Sequence, residues 1–152
     1  MKKLVYAAIV SGLVGVAFAP ARADEAKPED AVKYRQAIMS VIGGHTGAFF
    51  AILSGKVPYN DALPYHADAL AAATDHVGAA FEQNTTGSHA KTKAKDAIWA
   101  ADSDFSKHVE DLEKAAHDLS AAVNAGDQEA IGVAAKALGG ACKSCHDKFR
   151  KD

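Results

Sequence analysis

The sequence predicts an all-α protein built as an antiparallel up-down four-helix bundle. The chain has 152 residues. After its N-terminal segment, apolar and small residues recur at helical spacing almost throughout. Four such stretches, each of roughly 20 residues, are joined by mostly short connections, and short connections favour antiparallel neighbours. The length is enough for one domain with its own core.

The N-terminal segment is typical of a secretory signal peptide. Lys2 and Lys3 precede an apolar stretch at residues 4–19, and an A-x-A cleavage site ends at Ala23. A membrane anchor is the alternative, but about 16 apolar residues fall short of the roughly 20 that span a bilayer. We therefore expect cleavage after Ala23, export to the periplasm and a mature domain at residues 24–152.

The first predicted helix starts at Pro28, because proline and the carboxylates that follow it both suit a first turn. Three glycines, Gly43, Gly44 and Gly47, weaken its interior by about 1 kcal/mol each relative to alanine. They indicate either tolerated weakness or the close approach of a neighbour. The core-facing stripe consists of Val32, Met39, Ile42, Thr46, Phe49 and Leu53.

The second predicted helix follows a turn at residues 58–64. A polar stretch at residues 82–96 then predicts a long loop, and Ile98 and Trp99 are expected to hold its end against the core. The stripe of the second helix consists of His66, Leu70, Ala73, Val77 and Phe81.

The last two predicted helices are separated by a short turn with recognisable caps. Gly126 suits the left-handed position that ends a helix, and Asp127 suits the N-cap of the next one. The third stripe consists of Phe105, Val109, Leu112, Ala116, Leu119 and Val123, and the fourth of Ile131, Ala135, Leu138, Cys142, Cys145 and Phe149.

The charge of the chain limits its partners. Loss of the three signal-peptide cations takes the formal net charge from −2 to −5. An acidic surface argues against nucleic acid and anionic lipid as partners. No Ser-His-Asp or paired-carboxylate arrangement has a spacing beyond chance, so we expect that the protein is not an enzyme.

Residues 142–146 read Cys-Lys-Ser-Cys-His, the attachment signature of c-type haem. The two thiols of such a motif add to the haem vinyl groups. A local disulfide or a thioredoxin-like redox pair is the alternative, but that pair normally follows a strand, and no strand-like run precedes this one. The sequence therefore predicts one haem c per chain, held by Cys142 and Cys145, with Gly139 and Gly140 leaving space for the porphyrin.

Two residues are the candidate axial ligands of the haem iron. His146 completes the motif and is the expected ligand on one face. Six residues follow it, so a ligand for the opposite face is expected from upstream. Met39 is the only methionine left after removal of the signal peptide; it is either this sixth ligand or flexible core packing. His66 is the next candidate.

A charged residue lies one helical turn before this methionine. Arg35 can share the face of Met39, and a buried charge needs a partner, which a haem propionate could provide. A surface ion pair with Glu29 or Asp30 is the alternative.

Four features of the chain resemble the class II c-type cytochromes, the family that includes cytochrome c′. The resemblance covers essentially the whole mature chain and implies a periplasmic four-helix bundle that is often dimeric. It also implies that Arg35 and Gln36 lie against the haem edge and that Arg150 lies beside the face of His146. The matching features are Tyr34-Arg35-Gln36, Lys56-Val57-Pro58-Tyr59, Ile98-Trp99 and Cys142-Lys-Ser-Cys145-His146.

The position of Met39 is where this family divides. In its low-spin members a methionine here binds the iron, and the protein is an electron carrier. In cytochromes c′ the residue packs over a five-coordinate iron that can bind NO or CO, and some of these proteins also have methionine here. Because electron transfer describes the family most broadly, our main hypothesis is electron transfer with periplasmic or membrane redox partners. Five-coordinate NO or CO binding is the alternative.

Overall fold

The computed structural model describes residues 25–152, so the expected signal peptide and its cleavage site at Ala23 lie outside the described residues. The described chain is all-α, as predicted. Its α-helices are α1 (Pro28–Leu53), α2 (Leu63–Thr74), α3 (Val77–Glu82), α4 (Phe105–Ala125) and α5 (Gln128–Phe149). Short 3₁₀ turns at Asn60–Ala62 and Asp96–Trp99 precede α2 and α4.

The predicted helix ends are found where local chemistry requires them. Gly126 has φ = 70° and ends α4 in the left-handed region, which costs glycine little because it has no Cβ. The Oδ1 atom of Asp127 accepts hydrogen bonds from the backbone N–H groups of Glu129 and Ala130, at 3.1 and 3.0 Å, and so caps α5. Both caps were predicted from the sequence and are confirmed.

The second bundle member is broken, which the sequence did not predict. The hydroxyl of Thr74 donates to the carbonyl oxygen of Ala71 at 2.8 Å, the same oxygen that the N–H of Asp75 reaches only at 3.4 Å. A threonine that bonds back to its own helix in this way weakens and bends it. The chain turns at Asp75 and His76, and α3 continues the second bundle member as a separate short helix.

The helices pack in chain order around one core. α1 packs against α2 and α3, α2 against α4, and α4 against α5. Burying each large side chain of this core contributes about 1.5–3 kcal/mol. The most deeply buried apolar residues are Phe49, Leu70, Leu119, Ile131 and Leu138.

The first and last helices differ from our expectation. Within residues 25–152, α1 and α5 are not among the closely packed helix pairs, although the sequence suggested that they would be direct neighbours. Both border the common core, where Met39 of α1 and Cys142 of α5 are half-buried. By length and composition α1 could also cross a membrane, but it packs in this bundle and buries the charged Arg35.

Candidate haem site

The two thiols of the motif lie one helical turn apart on α5, and both are free and half-buried. Burial raises the pKa of the Cys142 thiol. Burial also raises the pKa of Cys145, with a smaller contribution from the neighbouring Cys142. The stripe that was predicted to be buried is therefore only half-covered at the cysteines, whereas Leu138 and Phe149 on either side of them are fully covered.

The imidazole of His146 is exposed on the same helix. Partial desolvation of the ring lowers its pKa, the positive charge of Arg150 lowers it further, and Asp147 opposes the shift. A lowered pKa favours the neutral imidazole, which is the form that binds a metal. The axial role of His146 stays a prediction, and the direction of this shift is consistent with it.

The space near the motif is open on the glycine side. A Cβ atom built on Gly139 or Gly140 would meet no atom within 4 Å, and the same is true at Gly43 and Gly47 of α1. Within residues 25–152 no side chain or backbone atom approaches the α1 glycines closely, so a close neighbour there stays a prediction.

These observations fit a covalently bound haem. Two half-buried thiols three residues apart can form two thioether bonds, and the imidazole of the next residue can bind the iron. α5 is not closely packed against α1. A Cβ atom built on the glycines of either helix would meet no atom within 4 Å. Met39 lies half-buried against the core from the α1 side, so the candidate ligands belong to two helices that are not closely packed together.

Arg35 is not a surface residue. The alternative hypothesis, a surface ion pair with Glu29 or Asp30, is therefore wrong. It is only 2% exposed. Its Nε donates to the carbonyl of Ala80 at 3.0 Å, its Nη2 to the carbonyl of Gln83 at 3.2 Å, and its Nη1 to the hydroxyl of Thr85 at 3.2 Å. Desolvation lowers the pKa of the guanidinium.

Two aromatic rings complete the surroundings of Arg35. The guanidinium carbon lies 4.5 Å from the ring centre of Phe81 and 4.9 Å from that of Trp99. The indole Nε1 of Trp99 donates in turn to the carbonyl of Phe81 at 2.8 Å. The three hydrogen bonds use three of the five guanidinium N–H groups, which leaves two for another acceptor. The place of Arg35 at the haem edge stays a prediction.

Gln36 leads from α1 to a segment that sequence reasoning did not single out. Its Nε2 donates to the carbonyl of Lys91 at 2.9 Å. Residues 91–95, which we call the strap, then pair antiparallel with the end of α5: the N–H of Lys95 donates to Phe149 at 2.9 Å, and that of Lys151 donates to Lys93 at 2.7 Å. The strap thus connects α1 to the segment just after His146. The haem-edge role of Gln36 stays a prediction.

His66 does not lie with the motif. Its Nδ1 is 3.0 Å from the Nδ1 of His45, on the contact between α2 and α1. The sequence placed His66 correctly on an inward-facing side of its helix, but its partner is another histidine. Met39 lies half-buried against the core, and its role as a sixth ligand or as packing residue stays a prediction.

Known proteins resemble this chain in sequence and in fold over almost their whole length. The family model described as cytochrome C' matches residues 30–150. A cytochrome c' from Pararhodospirillum photometricum is 40% identical over 126 residues, covering 83% of this chain and 100% of the relative.

Solved structures agree with this match. A cytochrome c' from Rubrivivax gelatinosus superposes with a TM-score of 0.75 at 32% identity and covers 82% of this chain and 98% of its own. A nitric oxide complex of a mutant cytochrome c prime from Alcaligenes xylosoxidans superposes with a TM-score of 0.74 at 32% identity. The match covers 85% of this chain and 100% of that one. With the motif on α5 and the four-helix bundle around it, these matches show that the chain belongs to the cytochrome c′ family.

Proposed function

We propose that this protein binds nitric oxide, with carbon monoxide as a second ligand, at a five-coordinate haem. The cytochrome c′ family consists of periplasmic, non-enzymatic haem proteins that hold one haem c. The observation that carries the proposal is the close likeness, over nearly the whole chain, to a family member whose structure contains nitric oxide. The findings therefore favour the gas-binding hypothesis over the electron-transfer hypothesis that the sequence alone ranked first.

The residues of this chain have distinct tasks in the proposal. Cys142 and Cys145 hold the group covalently on α5, and neutral His146 binds the iron from one side. When bound, haem c supplies an iron centre whose free coordination position accepts a diatomic ligand. Met39 packs against the apolar core, which supports a role in covering the opposite face and keeping water away from it.

The spectrum of the reduced protein tests this proposal. We expect a broad, unsplit visible band, a clear change on addition of NO or CO, and little change of the ligand-free spectrum in Met39→Ala. Val41→Ala is a matched control, because Val41 lies on the same helix but is 47% exposed. Sharp, split α and β bands that become broad only in Met39→Ala would instead make Met39 a ligand and the protein an electron carrier.

Electron transfer is the second candidate, and the charges around the strap favour it. Five cationic residues, Lys91, Lys93, Lys95, Arg150 and Lys151, are brought together by the pairing of the strap with the end of α5. We call these five residues the basic rim. A cationic surface close to the residue that binds the iron would attract an acidic redox partner from the periplasm or the membrane. The dimer that the resemblance implied stays a prediction.

A further inference from the structure

A pair of histidines outside the haem site joins α1 to α2. The Nδ1 atoms of His45 and His66 are 3.0 Å apart, and the ring centres are 5.2 Å apart with the planes tilted by 55°. Both side chains are half-buried. The ring of Tyr65 packs edge-on against both imidazoles, at 5.5 and 5.1 Å between ring centres.

The two nitrogens have only each other among the side-chain hydrogen bonds of residues 25–152. In the neutral pair one Nδ1–H donates a hydrogen bond to the lone pair of the other Nδ1. Imidazole nitrogens arranged in this way are also a ligand pair for a transition metal. Across the described chain no group of three or more His, Cys, Asp or Glu side chains could hold a metal, so any metal here would take its other ligands from water.

We propose that His45 and His66 form a binding site for a divalent transition-metal ion, with Cu²⁺ as the best fit. Metal–imidazole bonds of about 2.0–2.1 Å, placed on nitrogens 3.0 Å apart, give an N–metal–N angle of about 91–97°. That is the cis angle of tetragonal Cu²⁺ or Ni²⁺, and it is narrower than the tetrahedral angle that Zn²⁺ prefers. Among divalent ions Cu²⁺ also binds nitrogen ligands most strongly.

Metal binding requires a proton to move but not to be lost. In the neutral pair the proton between the two Nδ1 atoms leaves that position, and each ring then carries its single proton on Nε2. The ion lies off the line that joins the two nitrogens, so each ring must turn by roughly 40–45° for its Nδ1 lone pair to point at the ion. A ring that is protonated on both nitrogens must release one proton to solvent before it can bind the ion.

The consequence for the protein is a bond between two helices. His45 belongs to the helix that carries Met39, and His66 belongs to the first half of the broken second bundle member. A ligand that binds only the folded state stabilises it in proportion to the logarithm of its concentration above Kd. A bound ion would therefore raise the unfolding temperature of the haem-loaded protein without changing the haem spectrum.

Calorimetric titration of the haem-loaded protein with Cu²⁺ and with Ni²⁺ at pH 7.5 tests the site, together with thermal unfolding followed at the Soret band. We expect one equivalent to bind, Cu²⁺ more tightly than Ni²⁺, and the unfolding temperature to rise. His45→Gln and His66→Gln should each weaken binding by roughly tenfold or more and abolish the thermal shift.

His117→Gln is the matched control, because its Nε2 lies 2.8 Å from Oδ1 of Asp75 in a second, exposed pair between helices. This variant should bind Cu²⁺ as the parent does. Equal unfolding temperatures of all variants without metal would show that glutamine leaves the fold intact. The proposal fails if neither ion binds, if binding survives in both His45→Gln and His66→Gln, or if His117→Gln is the variant that loses it.

Discussion

At the scale of single residues, Arg35 shows how a charge can serve structure. It holds the end of α3 and the start of the following loop through three hydrogen bonds to residues 45–50 positions away in sequence. Its stacking against two aromatic rings adds a favourable contribution of about 0.5–2 kcal/mol. This side chain satisfies backbone carbonyls that would otherwise lack a donor.

Replacing Arg35 should therefore cost stability. Arg35→Leu removes three donors and leaves buried acceptors without partners, at about 1–3 kcal/mol for each unsatisfied group. We expect a loss of about 3 kcal/mol or more in the free energy of unfolding, measured in urea by circular dichroism. The stability of Arg35→Lys should lie between that of the parent and that of Arg35→Leu, since an ammonium cannot reproduce the planar arrangement of donors of a guanidinium.

Lys33→Ala is a suitable control on the same helix. Lys33 pairs with Asp30 at 3.3 Å, and both side chains are largely exposed, so its loss should change stability by no more than about 0.5 kcal/mol. If Arg35→Leu were as stable as Lys33→Ala, the contacts of Arg35 would not be stabilising. A changed reduction potential in stable Arg35→Lys would support the haem-edge role.

At the scale of elements, polar contacts between neighbouring helices supplement a core made largely of small residues. Oδ1 of Asp68 in α2 accepts hydrogen bonds from the hydroxyl of Ser120 at 2.6 Å and from the amide of Asn124 at 2.8 Å, both in α4. These bonds lower the pKa of Asp68, the Ser120 bond most, while slight burial opposes the shift. The carboxylate is therefore the form that joins the two helices.

The pH dependence of stability should reveal this junction. Because the folded-state pKa is below the unfolded value of 3.8, the contribution is complete above that value and disappears as the pH falls through the lower folded value. We expect Asp68→Asn to be less stable than the parent at pH 6, with the difference shrinking below about pH 4. Chemical unfolding across this range measures it.

A carboxylate that bridges no helices provides the comparison. Asp118 pairs with Lys114 at 2.8 Å within α4, and both side chains are exposed. Asp118→Asn should therefore have little effect at either pH. An Asp68→Asn deficit that stayed constant down to pH 2.5 would mean that ionisation of Asp68 does not contribute to the junction.

At the scale of the whole molecule, the charge is unevenly distributed. The mature chain is expected to be acidic, yet the strap and the end of α5 bring the five cations of the basic rim together. Close charges dominate over distant ones at physiological salt, because the screening length is about 8 Å. We expect the five cations to outweigh the neighbouring Asp96, Asp147 and Asp152, so that the local field at the basic rim has the opposite sign to the net charge.

Salt dependence of electron exchange distinguishes the local field from the net charge. The rate of reduction by anionic ferrous EDTA should fall as the salt concentration rises, by about tenfold between low and high salt, whereas the net charge alone predicts a rise. Lys91→Gln combined with Lys93→Gln should weaken this dependence. Lys136→Gln, an exposed lysine earlier in α5, should not, and an equal effect in both variants would remove the rim from the explanation.

The sequence by itself determined the helices, their caps and the haem motif. Each is local: helix hydrogen bonds join residues four apart, Asp127 caps its own helix, and a Cys-x-x-Cys-His motif needs only five consecutive residues. Membership of a known family followed from the same local motifs. Met39 could be found because removal of the signal peptide leaves one methionine.

Only the tertiary structure decided which distant residues meet. Arg35 lies 45–50 positions from its hydrogen-bond partners, Gln36 lies 55 from Lys91, and His45 lies 21 from His66. No spacing rule predicts such contacts, because they depend on how the helices are rotated against one another in the core. The course of the strap depends on the tertiary structure too, since this loop gains its shape from pairing with the end of α5.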